Sequence, residues 1–267
     1  MFIYEHSFAE NGKLLATSAV GPVEGGAGGG LIPWAVLTGY ATQDEIGYSA
    51  TMSEADVSDY SLSSHGLAVS AYDRVEISFA QLRFENKVGG VDIKQNVLGI
   101  KAKLYGDVVY DTWPQISLGI QHKTLLNPEI AQVLGASDED GQDVYLSAAK
   151  VWLNGPLNRT VLVNTNIRYS KANQLGLLGY GTDANDDAEL SLEFAAAVFL
   201  NRRLAIGMEY RQKPDNIDGL TEDDWQDFFV AYFPSKSVSL TLAYLQLGEI
   251  AGFKDQDGTY FSIQGSF

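Results

Sequence analysis

The chain has 267 residues, 45% of them hydrophobic and only 19% charged, with 27 glycines and no cysteine. The missing cysteine excludes disulfides, thiolate metal sites and a cysteine nucleophile. A formal charge of −16 excludes the basic face that a nucleic-acid partner demands, and no run approaches the ~18 consecutive apolar residues of a membrane helix.

The N-terminal "MFIYEHSF" lacks the basic start and long apolar core of a secretory signal, so an exported protein is expected here in its mature form, with residues 1–12 a periplasmic segment. "KLLATSAV" (13–20) is expected to add one strand before the glycine-rich "GGAGGG" (25–30). Bare backbone amides in such a run can cradle a phosphate, but neither Gly-Lys-Ser/Thr nor a helix follows, which favours a tight or flexible loop near the lumen. Pro33 and Trp34 then read as the start of a strand with an interface anchor.

From Leu31 onward the apolar period is two, and no amphipathic helix interrupts it. Alternation predicts strands over 31–41, 45–53, 60–72, 74–86, 92–105, 113–125, 143–153, 160–171, 188–200, 203–213, 226–234, 237–248 and 258–267. The stretch 226–234 is apolar on both faces, so its parity is open. With 13–20 the count is about fourteen, falling to twelve if the N-terminal segment packs inside.

Short connections (42–45, 73–74, 106–112, 154–159, 201–203, 234–237) alternate with longer ones near 53–59, 86–91, 126–142, 172–187, 214–225 and 249–257. A soluble sandwich has no reason to place its long loops at one end, whereas a membrane barrel does. Acid distribution agrees. Twenty of the 34 acidic residues fall in 51–60, 137–143, 182–189, 214–227 and 249–257, beside one base, Lys254. Aromatic residues flank the short turns (Tyr40, Tyr72, Tyr105, Trp113, Trp152, Phe199, Phe233) and the long loops (Tyr60, Tyr145, Tyr169, Tyr210, Trp225). Of these, Tyr40, Tyr72, Tyr105, Trp113, Trp152, Phe233 and Trp225 are expected to form interfacial girdles. The predicted fold is all-β: a transmembrane antiparallel up-and-down β-barrel over 13–267, in the bacterial outer membrane, with periplasmic termini.

The alternate face of each strand would line the lumen. It carries Lys101, Lys103, Lys123, Lys150, Arg168, Arg211 and Lys213 against Glu76, Glu193 and Glu209, together with Gln121, Asn164 and Asn166. Such charges need water or partners, so the interior is either a pore or closed by ion pairs, with Arg168 and Glu193 on neighbouring strands. The reading that follows is a passive channel for small polar or anionic solutes. The alternative is a non-conducting structural or scaffold barrel, sealed by side chains or by residues 1–30, that anchors an envelope partner. Lipid and lipopolysaccharide are the other expected partners.

The final "DGTYFSIQGSF" places Phe261, Ile263 and Phe267 on one face, as the C-terminal signal read by the barrel assembly machinery requires; Gly265 departs from that pattern. Catalysis is not expected. The only histidines are His6, His65 and His122, and Ser63/His65 is a same-face pair with no acid to complete it. No cofactor is expected. Asp138, Asp140, Asp143, Asp223 and Asp224 lie in acid clusters that could hold a divalent cation, but without EF-hand spacing.

"GKLLATSAVGPVEGGAGGGLIPWAVLTGY" (12–40), "DEIG" (44–47) and "YDRVEISFA" (72–80) together resemble an uncharacterised proteobacterial family, domain of unknown function 3034. The resemblance implies an outer-membrane protein and brings no activity or ligand with it.

Overall fold

A computed structural model describes residues 13–182, 185–214, 216–217, 220 and 222–267; the expected segment 1–12, with His6, lies outside the described residues. The strands in chain order are β1 (Ile46–Val57), β2 (Tyr60–Ala71), β3 (Val75–Asn86), β4 (Asp92–Tyr105), β5 (Gln115–Leu125), β6 (Ala136–Asp138), β7 (Asp140–Trp152), β8 (Val161–Ser170), β9 (Tyr180–Thr182), β10 (Glu189–Asn201), β11 (Leu204–Arg211), β12 (Trp225–Ser235), β13 (Val238–Gln246) and β14 (Asp257–Ser266); β6 and β9 arise within the long connections expected at 126–142 and 172–187, the others from period-two segments. The two short strands, β6 and β9, form a separate two-stranded sheet beside the single-turn helix α1 (Glu129–Val133). The other twelve form one closed barrel in which each pairs antiparallel with its neighbours along the chain.

Closure is by β1 and β14, with Met52 opposite Ile263 and Ala50 opposite Gly265. It continues past the strand ends, where Tyr48 and Phe267 exchange backbone hydrogen bonds, both at 2.8 Å. A closed ladder leaves no edge, and an edge facing lipid would cost several kcal/mol per unsatisfied backbone group.

The outward positions carry the apolar set. Leu67, Ile77, Leu98, Ile120, Ile206 and Leu242 are all 43–63% exposed and ring the barrel, a surface that a soluble protein does not present but a lipid-facing wall requires. Tyr72, Tyr105, Trp113 and Trp152 are exposed at the short-turn end, and Tyr169 is exposed at the other. Three expected girdle residues are not on this surface. Trp225 and Phe233 lie on the inward parity of β12, and Tyr40 is buried inside. Tyr60 and Tyr145 also face inward.

The strand count differs from fourteen because 13–20 and 31–41 are not barrel strands. Both belong to one segment, residues 13–41, folded inside the barrel; the count of twelve is the one expected for an N-terminus packed within. Leu31, Ile32, Trp34, Ala35, Val36 and Leu37 are each buried on every side. A segment enclosed in this way needs no polar face, so its run of apolar residues resembles a strand in composition while following no pleat.

Candidate functional site

Residues 13–41 enter and leave the barrel at the short-turn end, reaching the middle of the lumen between. The segment braces itself. Val20 N–H donates to Gly28 O (3.0 Å), Val23 N–H to Gly30 O (3.1 Å) and Trp34 N–H to Ala27 O (3.1 Å). The glycine run is what allows a plug this close to the wall. A Cβ at Gly29 would lie 1.8 Å from Glu209 Oε1, and one at Gly26, whose φ is +79°, would lie 2.6 Å from Glu76 Oε1. The bare amides do cradle anions, but those anions belong to the barrel. Ala27 N–H and Thr38 N–H donate to the two oxygens of Glu76 (3.2 and 2.6 Å), and Leu31 N–H donates to Glu209 Oε2 (2.7 Å). Trp34, expected as an interface anchor, is instead buried and donates its indole N–H to Glu209 Oε1 at 3.0 Å.

The wall side chains expected to line the lumen are used mainly on this segment. Lys101 Nζ donates to Ala27 O (2.9 Å), Trp34 O (3.0 Å) and Val36 O (2.9 Å) and pairs with Glu76 (3.1 Å). Asn164 accepts from Ala35 N–H (2.9 Å), and Asn166 donates to Pro33 O (2.7 Å) and to Glu193 (2.6 Å). Lys103 sits lower, where Asp73 is bridged by Lys103 (2.5 Å) and Lys13 (2.6 Å) at the point where the segment enters.

At the centre, Glu24 of the plug meets three cations of the wall. It pairs with Lys123, lies 2.6 Å from Arg211 Nη1 and 3.7 Å from Arg168 Nη2. Asp143 joins from β7, 2.6 Å from Lys123 and 3.1 Å from Arg168, and Glu193 joins from β10, 2.6 Å from Arg168 and 3.4 Å from Arg211. Gln121 accepts a further bond from Arg168 at 2.9 Å. Three acids and three bases, none more than 3% exposed, thus neutralise one another. Five lie on the wall and Glu24 completes the set. Without it the wall would hold three bases against two acids in a space closed to water, which is costly.

Lys150 is the lumen assignment that the structure overturns. It shares the outward parity of Leu146 and Trp152 on β7, and its ammonium reaches back to the carbonyls of Val109 and Asp111 in the turn below. The inward residues of that strand include Asp143, Tyr145, Ser147 and Val151. Ser147 and Ala149 face in and Ala148 faces out, so small residues on both faces blur the parity of this strand in sequence.

A second closure comes from the opposite end. Residues 171–182, most of them in the long connection expected at 172–187, turn into the barrel mouth and bury Leu175, Leu177 and Leu178. Gln174 and Leu175 hold left-handed backbone, with φ of 44° and 63°. That conformation is costly for residues with a Cβ and is fixed here by neighbours. Lys123 donates to Leu175 O (3.0 Å), Lys213 donates to Gln174 Oε1 (3.0 Å), and Glu222 accepts from Gln174 N–H (3.1 Å). The apolar run "LGLL" (175–178) was the available signal for burial. Between this cap and the plug remains an apolar cavity of about 50 Å³ bordered by Val23, Leu31, Trp225 and Tyr260.

The acidic candidates for a cation do not converge. Asp143 is in the central network, Asp138 pairs with Lys171 (2.9 Å), Asp140 faces His122 (3.8 Å), Asp224 accepts from Tyr210, and Asp223 accepts from Glu249 N–H (2.8 Å). Among the described residues no group of three such ligands gathers. His65 and Ser63 both lie on the outward parity of β2, away from the lumen.

Solved structures share this architecture at low identity. A NanC porin matches at 8% identity and TM-score 0.50, covering 82% of this chain and 98% of its own. A KdgM porin matches at 10% identity and TM-score 0.51, covering 82% and 99%. Likeness at this level concerns the barrel fold. No curated protein sequence matches the chain. One family covers nearly all of it, from residue 17 in the plug to residue 264 in the closing strand: the chain belongs to the family described as protein of unknown function (DUF3034).

Proposed function

We propose that this protein is a bacterial outer-membrane barrel that is closed at rest by its own N-terminal segment. It stands with its short turns, the entry of the plug at residue 13 and the end of β14 at the periplasmic side and its acid-rich loops outside. The observation that carries the reading is Glu24. A plug resting loosely in a water-filled pore would not complete a buried cluster of three acids and three bases drawn from the wall. In this reading the mixed-charge inner face, which in sequence suggests a pore for small polar or anionic solutes, serves to hold the plug. The barrel is a non-conducting element of the envelope and not an enzyme. Its acid-rich rim is suited to divalent bridging with lipopolysaccharide phosphates, and Phe261, Ile263 and Phe267 serve as its assembly signal.

The test is single-channel recording on the full chain and on a chain lacking residues 13–41, each in planar bilayers. The full chain is expected to give no sustained conductance and the deletion to give steady open-pore steps. Sustained conductance from the full chain would restore the passive-channel reading.

A further inference from the structure

On the short-turn side of the plug the described residues leave part of the lumen unfilled. A cavity of about 720 Å³ lies between the underside of the plug, the inner wall and the turn 106–114. That size falls in the ~300–1,000 Å³ range of sites for small organic ligands. Its interior is apolar where a water-filled barrel mouth would be polar. Val151, Leu162 and Phe199 occupy lumen-facing positions on β7, β8 and β10 and border the void, with Trp34 and Val36 of the plug above them. Apolar side chains around water gain nothing from their burial, so this lining is complementary to an apolar guest.

The rim has a different chemistry. Arg159 and Arg202 stand on two neighbouring turns, alongside Asn158, Thr160 and Asn201, and among the described residues no carboxylate lines the cavity. In a chain with 34 acids against 18 bases this is a local reversal of charge. Arg159 donates to Leu200 O, which holds its guanidinium at the opening. Guanidinium groups are suited to carboxylate or phosphate oxygens through paired N–H donors.

We propose that this chamber binds a single-chain amphiphile with an anionic head, such as a long-chain carboxylate. The tail lies under Trp34 along Val151, Leu162 and Phe199, and the head meets Arg159 and Arg202. The assignment holds whether or not the barrel ever opens, because the chamber lies wholly on one side of the plug.

The full chain in lipid nanodiscs would be titrated with 11-(dansylamino)undecanoate, and the probe then displaced with hexadecanoate or hexadecanol, using empty nanodiscs as the blank. Saturable binding above the blank and displacement by hexadecanoate are expected. The double variant Arg159→Gln/Arg202→Gln should weaken hexadecanoate by at least about tenfold and hexadecanol by less than about twofold. Leu162→Trp should abolish both, with heat-modifiable gel mobility confirming that the barrel has folded. If Leu162→Trp fails to fold, the arginine variant alone decides. No binding above the blank, equal losses for acid and alcohol, or retention in native mass spectrometry of a two-chain phospholipid instead of hexadecanoate would each overturn the assignment.

Discussion

Glu24 and Arg211 are joined across the plug–wall boundary, Oε2 to Nη1 at 2.6 Å, although 187 positions separate them in sequence. Arg211 also donates to Leu31 O at 2.9 Å, so one wall side chain grips the plug at two points. Removing one member of a buried charge set is far costlier than never building it, because the partners stay buried and unpaired. Glu24→Ala is therefore expected to destabilise the folded barrel by about 3–5 kcal/mol, read as a lowered urea midpoint. Glu24→Gln, which keeps the shape and part of the hydrogen bonding, should cost less. Equal midpoints for wild type and Glu24→Ala would mean that the network contributes nothing to holding the plug.

The glycine run gives a second, steric prediction. Gly29→Ala brings a Cβ to 1.8 Å from the Glu209 carboxylate, while the nearest atom to a Cβ at Gly30 is 3.2 Å away, on the Tyr260 ring. Gly29→Ala should cost about 1–3 kcal/mol, the range for forcing atoms into a packed interior, and Gly30→Ala clearly less. The pair of urea midpoints checks the order. A larger loss at Gly30 would show that the plug backbone does not follow this path.

The tether at the entrance should respond to acid. Burial by itself pushes the Asp73 carboxyl up, but the charges of Lys13 and Lys103 and their hydrogen bonds hold it below its usual range. A carboxyl depressed in the folded state contributes stability above its unfolded value of about 3.9, and that contribution is lost as pH falls through the folded value. Hydrogen exchange over residues 13–20, corrected for intrinsic rates, should stay slow from pH 7 to pH 5 and quicken below about pH 4. Asp73→Asn should show the faster exchange already at pH 7, with no acid step. An unchanged acid step in that variant would assign the effect to another group.

At the closing seam, the backbone of Phe267 pairs with Tyr48 while the residue stays more than half exposed, 55%, on the outer face. Phe267→Ala keeps the backbone pair, so barrel already assembled should unfold at nearly the wild-type urea concentration. The fraction reaching the heat-resistant outer-membrane form in cells should fall severalfold. Normal assembly would remove Phe267 from the signal.

Much of the barrel is legible in the sequence because each strand in a single wall must alternate, and Leu190, Leu192 and Phe194 can face only lipid if Ser191, Glu193 and Ala195 face in. The placement of Arg168 beside Glu193 follows from the same parity. The plug escapes this logic. Once enclosed, "LIPWAVLTGYA" has no solvent face, so nothing in its composition separates it from a strand. Trp225 and Phe233 escape that logic for a related reason. The β12 strand is apolar inside as well as outside, because its inner face packs on a protein interior instead of water. Glu24 carried no signal at all, since its importance lies in Lys123, Arg168 and Arg211, which the chain places at least 99 positions away.

The central claim is that residues 13–41 lie inside the barrel, and the absence of native cysteine makes a direct test clean. Ser18 Oγ in the plug is 2.9 Å from Ser266 Oγ at the end of β14, and both are buried. Ser18→Cys/Ser266→Cys, oxidised in intact outer membranes, should form a disulfide in most of the folded molecules, seen as a reducible shift in gel mobility, while either single variant forms none. Folded, membrane-inserted double variant whose two thiols remain free and unlinked would contradict the account.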